Sequence, residues 1–337
     1  MRKIAFLLVL ALVLSGCAGF GGPQQYSVTY FTLFDTVTVI SGYADSQEEF
    51  DAAAEALHDE LLEYHRLFDV YKDYKGINNL KTVNDNAGVA PVVVDSRIIE
   101  LLLDCREYYA LTDGRVNVAM GSVLRLWHDA RNAGLDDPEH AALPDTAALE
   151  AAGKHTSWDT VVIDAEASTV FITDPNQLLD VGAVAKGWSV QRVAENAPAG
   201  MLLNVGGNVC ATGPKPEEQP WVVGVSDPSG ELEYLLTLDL RKGSLVTSGD
   251  YQRFYTVDGV NYHHIIDPDT LMPARYWSSV TILCGDSGLA DALSTALFLL
   301  PLEEGKALLK KSGAEAMWID AEGNCYYSDG FEKNIHQ

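Results

Sequence analysis

The chain has 337 residues, 47% of them hydrophobic, with 48 Asp and Glu against 23 Lys and Arg, a net charge of −25. So acidic a chain repels phosphodiester backbones and anionic headgroups, which argues against nucleic-acid binding and against membrane attachment through basic residues. Its apolar content suffices for one large core or two lobes, and no low-complexity stretch divides it.

The sequence begins MRKIAFLLVLALVLSGCAG, a basic pair (Arg2, Lys3) followed by an apolar run. The run is too short to span a bilayer comfortably and reads as a signal peptide. Its Leu14-Ser15-Gly16-Cys17 ending resembles the lipobox of bacterial lipoproteins, in which the cysteine is acylated and becomes the first residue of the mature chain. That resemblance implies a signal peptide over 1–16, a lipid anchor on Cys17 at the extracytoplasmic face of a cell membrane, and a flexible tether over 17–27. Residues 28–337 are then one folded unit. The other cysteines, Cys105, Cys210, Cys284 and Cys325, are far apart and lack any Cys-x-x-Cys spacing. No zinc or iron–sulfur framework follows from them, and apolar neighbours favour buried thiols.

Residues 33–41, LFDTVTVIS, alternate as a strand does. Ser46 and Glu49 make a capping box before a helix whose apolar stripe is Phe50, Ala54, Leu57, Leu61, Tyr64 and Phe68. A second helix is expected over about 97–111. Strands are expected near 160–173, 201–205, 221–226, 234–240, 244–248, 253–257, 261–266 and 278–284, with Asp258-Gly259 as a type I′ hairpin turn. LADALSTALFLL (289–300) and LEEGKALLKK (302–311) read as helices, and a terminal hairpin turns at Glu322-Gly323-Asn324. Strict β-α-β alternation is absent, so the expected class is α+β, with mixed or antiparallel sheets and flanking helices.

Four segments carry polar chemistry beyond what a scaffold needs. In TDGRVNVAMGSVLRLW (112–127), Ala119-Met120-Gly121 permits close approach of backbone to a ligand, or is simply a loop before a helix. In LDVGAVAKGWSVQRV (179–193), Asp180 ends an apolar run and Lys186-Gly187 opens a helix whose first amides can face an anion. That segment matches neither the P-loop nor the Rossmann spacing. In LLNVGGNVCATG (202–213), Gly206-Gly207 interrupts a strand pattern, as a bulge or a close approach would. In LADALSTALFLL, Asp291 and Thr295 share one helix face, and a carboxylate in so apolar a helix needs a cation or a donor. A carboxylate, a hydroxyl and a backbone carbonyl together suit Mg²⁺. Downstream, Thr247-Ser248-Gly249-Asp250 ends a strand and His263-His264 lie on the returning strand of the hairpin, their side chains on opposite faces. Adjacent strand residues cannot readily share one ion, so these histidines are not read as a metal site.

Taken in order, LFDTVTVI, TDGRVNVAMG, LDVGAVAKGWSVQRV, LLNVGGN, VTSGDYQRFY, HHIIDPDT and ADALSTALF resemble the successive sequence blocks of the ApbE family, the FAD:protein FMN transferases. The resemblance runs from about residue 28 to the C-terminus and implies a two-lobed catalytic unit of the ApbE type. It implies an enzyme that binds FAD with Mg²⁺, splits the pyrophosphate and transfers FMN to a threonine of an exported acceptor flavoprotein, releasing AMP. Ala119, Met120, Gly121, Asp180, Lys186 and Ser248 are then expected around FAD. The Ala183 carbonyl, Asp291 and Thr295 match the metal site, and His264 matches the base that deprotonates the acceptor threonine, with Asp267 as supporting polar group and His263 structural.

Two positions depart from the family pattern. Asp35-Thr36 stands where many members have Gly-Thr, and Asp269-Thr270-Leu271-Met272-Pro273 replaces Thr-Gly-x-Pro, which puts the shape of both turns in question. Two other readings stay open at this level. In one, water replaces threonine and the protein is a Mg²⁺-dependent FAD pyrophosphatase; in the other, it is a flavin-binding lipoprotein without catalysis.

Overall fold

Period-two alternation over residues 24–44 builds the first hairpin of a computed structural model that describes residues 22–337. The apolar leader and Cys17 lie outside the described residues. Strand β1 (Gln24–Leu33) pairs antiparallel with β2 (Thr36–Ala44). The tether expected over 17–27 therefore ends earlier, because Gln24 already pairs with Ala44. Ser46 caps α1 (Gln47–Phe68), its Oγ accepting the Glu49 amide at 3.2 Å, and the six stripe residues all face the core. There follow α2 (Leu80–Asp85), β3 (Val92–Val93), α3 (Ser96–Leu111), α4 (Gly121–Asp136) and α5 (Thr146–Ala152). The strand expected across 160–173 is a small hairpin, β4 (Val161–Asp164) and β5 (Thr169–Ile172), to which β3 adds.

Helix α6 (Ala185–Asn196) leads into the hairpin β6 (Met201–Val205) and β7 (Asn208–Ala211). Gly206 and Gly207 have φ of 56° and 91°, so this pair is the turn of a hairpin rather than a bulge within one strand. Next come β8 (Trp221–Ser226), β9 (Tyr234–Leu240), β10 (Gly243–Gly249), and the hairpin β11 (Phe254–Val257) with β12 (Val260–His263), turning at Asp258-Gly259. The chain closes with β13 (Ser279–Cys284), α7 (Ser287–Phe298), α8 (Leu302–Ser312), β14 (Glu315–Ile319) and β15 (Cys325–Tyr327).

The main sheet has eight strands in the order β1-β2-β6-β7-β10-β13-β14-β15, every pair antiparallel. The α+β expectation holds. Helices α1, α6 and α7 cover one face of this sheet and enclose the largest core, while the β8–β9 hairpin covers the other face. A separate small core joins α4, α5 and the β11–β12 hairpin. Helix α7 is buried nearly all round, sandwiched between α6 and strands β10 and β13, and only Leu289 and Thr295 escape full burial. Cys105 is a buried free thiol, as its apolar neighbours suggested, and Cys210 is buried too; Cys284, whose neighbours suggested the same, is only half-buried, and Cys325, at the start of the short edge strand, is exposed.

Candidate active site

A cleft of about 690 Å³ opens between the sheet lobe and the α4/β11–β12 lobe. Expected residues from four places converge on it: Asp180 and Ala183 from the loop before α6 with Lys186 from its first turn, Ser248 from β10, His264 just beyond β12, and Asp291 with Thr295 from α7. The 112–127 segment contributes Met120 but neither neighbour. Ala119 is packed in the core, and Gly121 faces the Leu178 carbonyl, to which its amide donates at 3.0 Å. A Cβ at Gly121 would sit 2.6 Å from that oxygen, so the glycine is there for chain packing rather than for a ligand.

Asp291 is 3% exposed. Its Oδ2 accepts the Gly187 amide at 2.8 Å and its Oδ1 lies 3.7 Å from Lys186 Nζ. The first contact ties α7 to the first turn of α6, where the helix dipole also favours a carboxylate. The second is a long ion pair that leaves Oδ1 room for another cation. Behind it, Ser294 Oγ donates to the Asp291 carbonyl at 2.9 Å and meets Ser248 Oγ at 2.8 Å. Ser248 thus lines the cleft while bracing the α7–β10 contact. Among the described residues no three His, Cys, Asp or Glu side chains gather as a metal cluster. A cation here would draw on one carboxylate, on neutral oxygens and on its substrate.

Asp180 is held in a tight turn by the Gly182 amide, which donates to its Oδ1 at 2.9 Å, and receives the Tyr71 hydroxyl at 3.4 Å. Tyr71 stacks on His128 with centroids 4.3 Å apart and carries the Arg125 guanidinium at 4.8 Å. Burial, then the negative charge of Asp180, push the Tyr71 hydroxyl far above its usual pKa, so it stays a donor. Trp127, Tyr255 and Tyr262, which belong to the small core, add an apolar stretch to the cleft wall.

The two histidines do separate, but the strand expected over 261–266 stops at His263, and His264 lies in the bend just beyond it. His263 is buried; its Nε2 donates to the Ala274 carbonyl at 2.7 Å and its Nδ1 accepts the Ile265 amide at 3.2 Å, so its role is structural. His264 opens into the cleft, with Nδ1 3.3 Å from the Arg253 carbonyl. A carbonyl only accepts, so Nδ1 carries the proton and the Nε2 lone pair is free. The ring is exposed to the cleft, and the surrounding protein mass, then the positive charge of Arg253, lower its pKa from the ordinary value of 6.5. Asp267 does not reach the cleft. It acts through Arg115, which lines the cleft and lies 3.6 Å from Asp267 and 2.7 Å from Asp269.

At both positions that depart from the expected pattern the backbone is left-handed. Leu271 adopts φ 58°, and its carbonyl accepts the Trp127 indole at 2.9 Å. Asp35 adopts φ 51° beside Phe34 at 50°. Sequence reading missed Tyr71, His128, Arg131 and Arg253 in the cleft wall. Only Arg253, a cation at a strand end in an acidic chain, carried a local signal.

The family model named ApbE family matches residues 26–318. The chain belongs to the ApbE family. A Treponema pallidum relative, named FAD:protein FMN transferase, is 32% identical over 94% of this chain and 90% of its own length. A Vibrio cholerae relative of the same name is 27% identical over 99% of this chain and 96% of its own. Among solved structures, the ApbE protein of Thermotoga maritima superposes with a TM-score of 0.83 at 30% identity, covering 93% of this chain and all of that one (100%). The flavin transferase ApbE from Vibrio cholerae, at TM-score 0.75 and 22% identity, shares the fold.

Proposed function

We propose that this ApbE protein is an FAD:protein FMN transferase that cleaves the FAD pyrophosphate and joins FMN to a threonine hydroxyl of an exported acceptor, releasing AMP. One observation carries the reading. A histidine with its Nε2 free and a cation, Lys186, beside a buried carboxylate, Asp291, line the same cleft. His264 takes the acceptor hydroxyl proton at Nε2 while its Nδ1–H stays on the Arg253 carbonyl. Lys186 sets positive charge beside the phosphates, and the Tyr71–His128 stack with Asp180 offers a flat, polar-edged wall to a planar ring system.

Asp291, Thr295 and the Ala183 carbonyl fit Mg²⁺, because they are hard oxygens that leave most coordination positions for water and phosphate. Bound there, the ion would neutralise the charge that develops on the AMP leaving group. A lipid on Cys17 would hold the enzyme at the extracytoplasmic membrane face, where an exported acceptor is within reach.

The test mixes the protein with FAD, Mg²⁺ and a small acceptor domain and weighs the acceptor by intact mass. A gain equal to FMN less water, lost in His264→Ala and in Asp291→Ala, is expected. AMP and free FMN with an unmodified acceptor would instead mean a pyrophosphatase, and intact FAD a binding lipoprotein.

A further inference from the structure

Two contacts link His264 to a turn on the other lobe. Phe34 and Asp35 join β1 to β2 with two successive residues in the left-handed region, φ 50° and 51°, and neither is glycine. Such backbone persists only where its surroundings hold it. Here the Phe34 N–H donates to His65 Nδ1 at 3.2 Å, and Arg253 Nη2 donates to the Phe34 carbonyl at 3.2 Å. The carbonyl of that same Arg253 accepts His264 Nδ1–H at 3.3 Å. On its far side His65 Nε2 lies 3.3 Å from the Tyr74 hydroxyl, which itself donates to Asp69 at 2.8 Å. Because His65 Nδ1 accepts an amide proton, its Nε2 carries the ring proton and donates to the Tyr74 oxygen. The Phe34 ring packs edge-on against His65 at 5.5 Å. Burial depresses the pKa of His65, which keeps the ring neutral and Nδ1 able to accept.

We propose that His65 is a positioning residue for the base: by holding the Phe34–Asp35 turn it seats the Arg253 guanidinium, and so fixes the Arg253 carbonyl that sets the His264 tautomer. The proposal rests on the transferase reading and deepens it. Arg253 is used twice, its side chain anchored on the sheet lobe and its main chain presented to His264. Without the anchor, the carbonyl is no longer held in place and the His264 ring is free to carry its proton on Nε2, the atom that must accept one. His65 sits in the last turn of α1, in the wall of an adjoining cavity of about 300 Å³ that shares Asp180, Lys186 and Arg253 with the cleft holding the base; the hydrogen-bonded path from it to His264 runs through Phe34 and Arg253.

The test labels the histidines of the full chain with ¹⁵N and reads the His264 tautomer by long-range proton–nitrogen correlation, alongside steady-state flavinylation kinetics. In the parent protein His264 is expected as the Nδ1–H tautomer. His65→Leu is expected to mix the tautomers and to lower kcat about tenfold, with the KM for FAD within about twofold. His65→Asn, whose Oδ1 takes the place of Nδ1, is expected to restore both. An unchanged His264 signature in His65→Leu, or an Asn variant as impaired as the Leu variant, would overturn the proposal. If His65→Leu does not fold, Arg253→Met reads the same link, since it keeps the carbonyl and loses the guanidinium; an unmoved His264 tautomer there also overturns it. The spectroscopic arm needs no turnover, so an inactive parent protein would defeat the transferase reading and leave the positioning link separately testable.

Discussion

Replacing Gly187 with alanine separates two effects of opposite sign. Within a helix the change ordinarily stabilises, by about 1 kcal/mol at most for a first-turn position such as Gly187. Here the added Cβ would lie 2.3 Å from the Ser287 carbonyl oxygen, 2.5 Å from Asp291 Cβ and 3.1 Å from Asn208 Nδ2. The first neighbour is backbone and cannot rotate away, so α6 and α7 must separate by roughly 1 Å, an overpacking that costs about 1–3 kcal/mol. Separation also stretches the 2.8 Å bond from the Gly187 amide to the Asp291 carboxylate, and hydrogen bonds to charged groups contribute about 1.5–3 kcal/mol. The clash therefore outweighs the propensity, for a net loss of about 2–4 kcal/mol, which at about 2 °C per kcal/mol in a chain of this size lowers Tm by roughly 4–8 °C. Since Asp291 and Lys186 move with the two helices, AMP release from FAD is expected to fall about 100-fold. Thermal melts followed by circular dichroism, with AMP quantified by chromatography, check both numbers. A Tm equal to or above that of the parent, with AMP release intact, would refute the claim that the α6–α7 contact is the rigid seat of the site.

Asp291→Asn keeps an oxygen for the Gly187 amide but removes the charge, so Tm is expected to hold within a few degrees while AMP release at saturating Mg²⁺ drops by at least about 100-fold. Asp35→Gly relieves a left-handed residue whose side chain is 80% exposed and lies no closer than 3.9 Å to Lys72; a urea midpoint raised by the equivalent of about 0.5–1 kcal/mol is expected. Burial lowers the pKa of His263 to about 4 against 6.5 when unfolded. Between those values the unfolded chain binds the extra proton, so this contribution is complete above pH 6.5 and is lost as pH falls toward 4, by roughly 3 kcal/mol. His263→Phe should flatten that part of a Tm-against-pH curve relative to the parent, and superimposable slopes would count against it.

Much of the fold was written in local pattern. The Ser46 capping box and the stripe from Phe50 to Phe68 specify α1, the Asp258-Gly259 turn specifies the β11–β12 hairpin, and period-two burial places His263 and His264 on opposite sides. These depend on neighbours within a few residues, which is the range over which side-chain periodicity and turn chemistry act. The chemistry-bearing residues were legible in the same way, because an aspartate in the apolar helix LADALSTALF is costly unless something meets it. What met it was not legible. That Oδ2 takes the Gly187 amide, that Gly121 serves packing against Leu178 while Met120 lines the cleft, and that Tyr71 joins His128 and Asp180 are facts about segments dozens of residues apart. The bridge from His65 through Phe34 to Arg253, and from its carbonyl to His264, is likewise absent from any local pattern. Sequence by itself determined which elements form and which side chains carry charge or a proton. Tertiary structure decided which of them share the cleft, because the antiparallel order of the sheet sets which strand ends and helix turns come together.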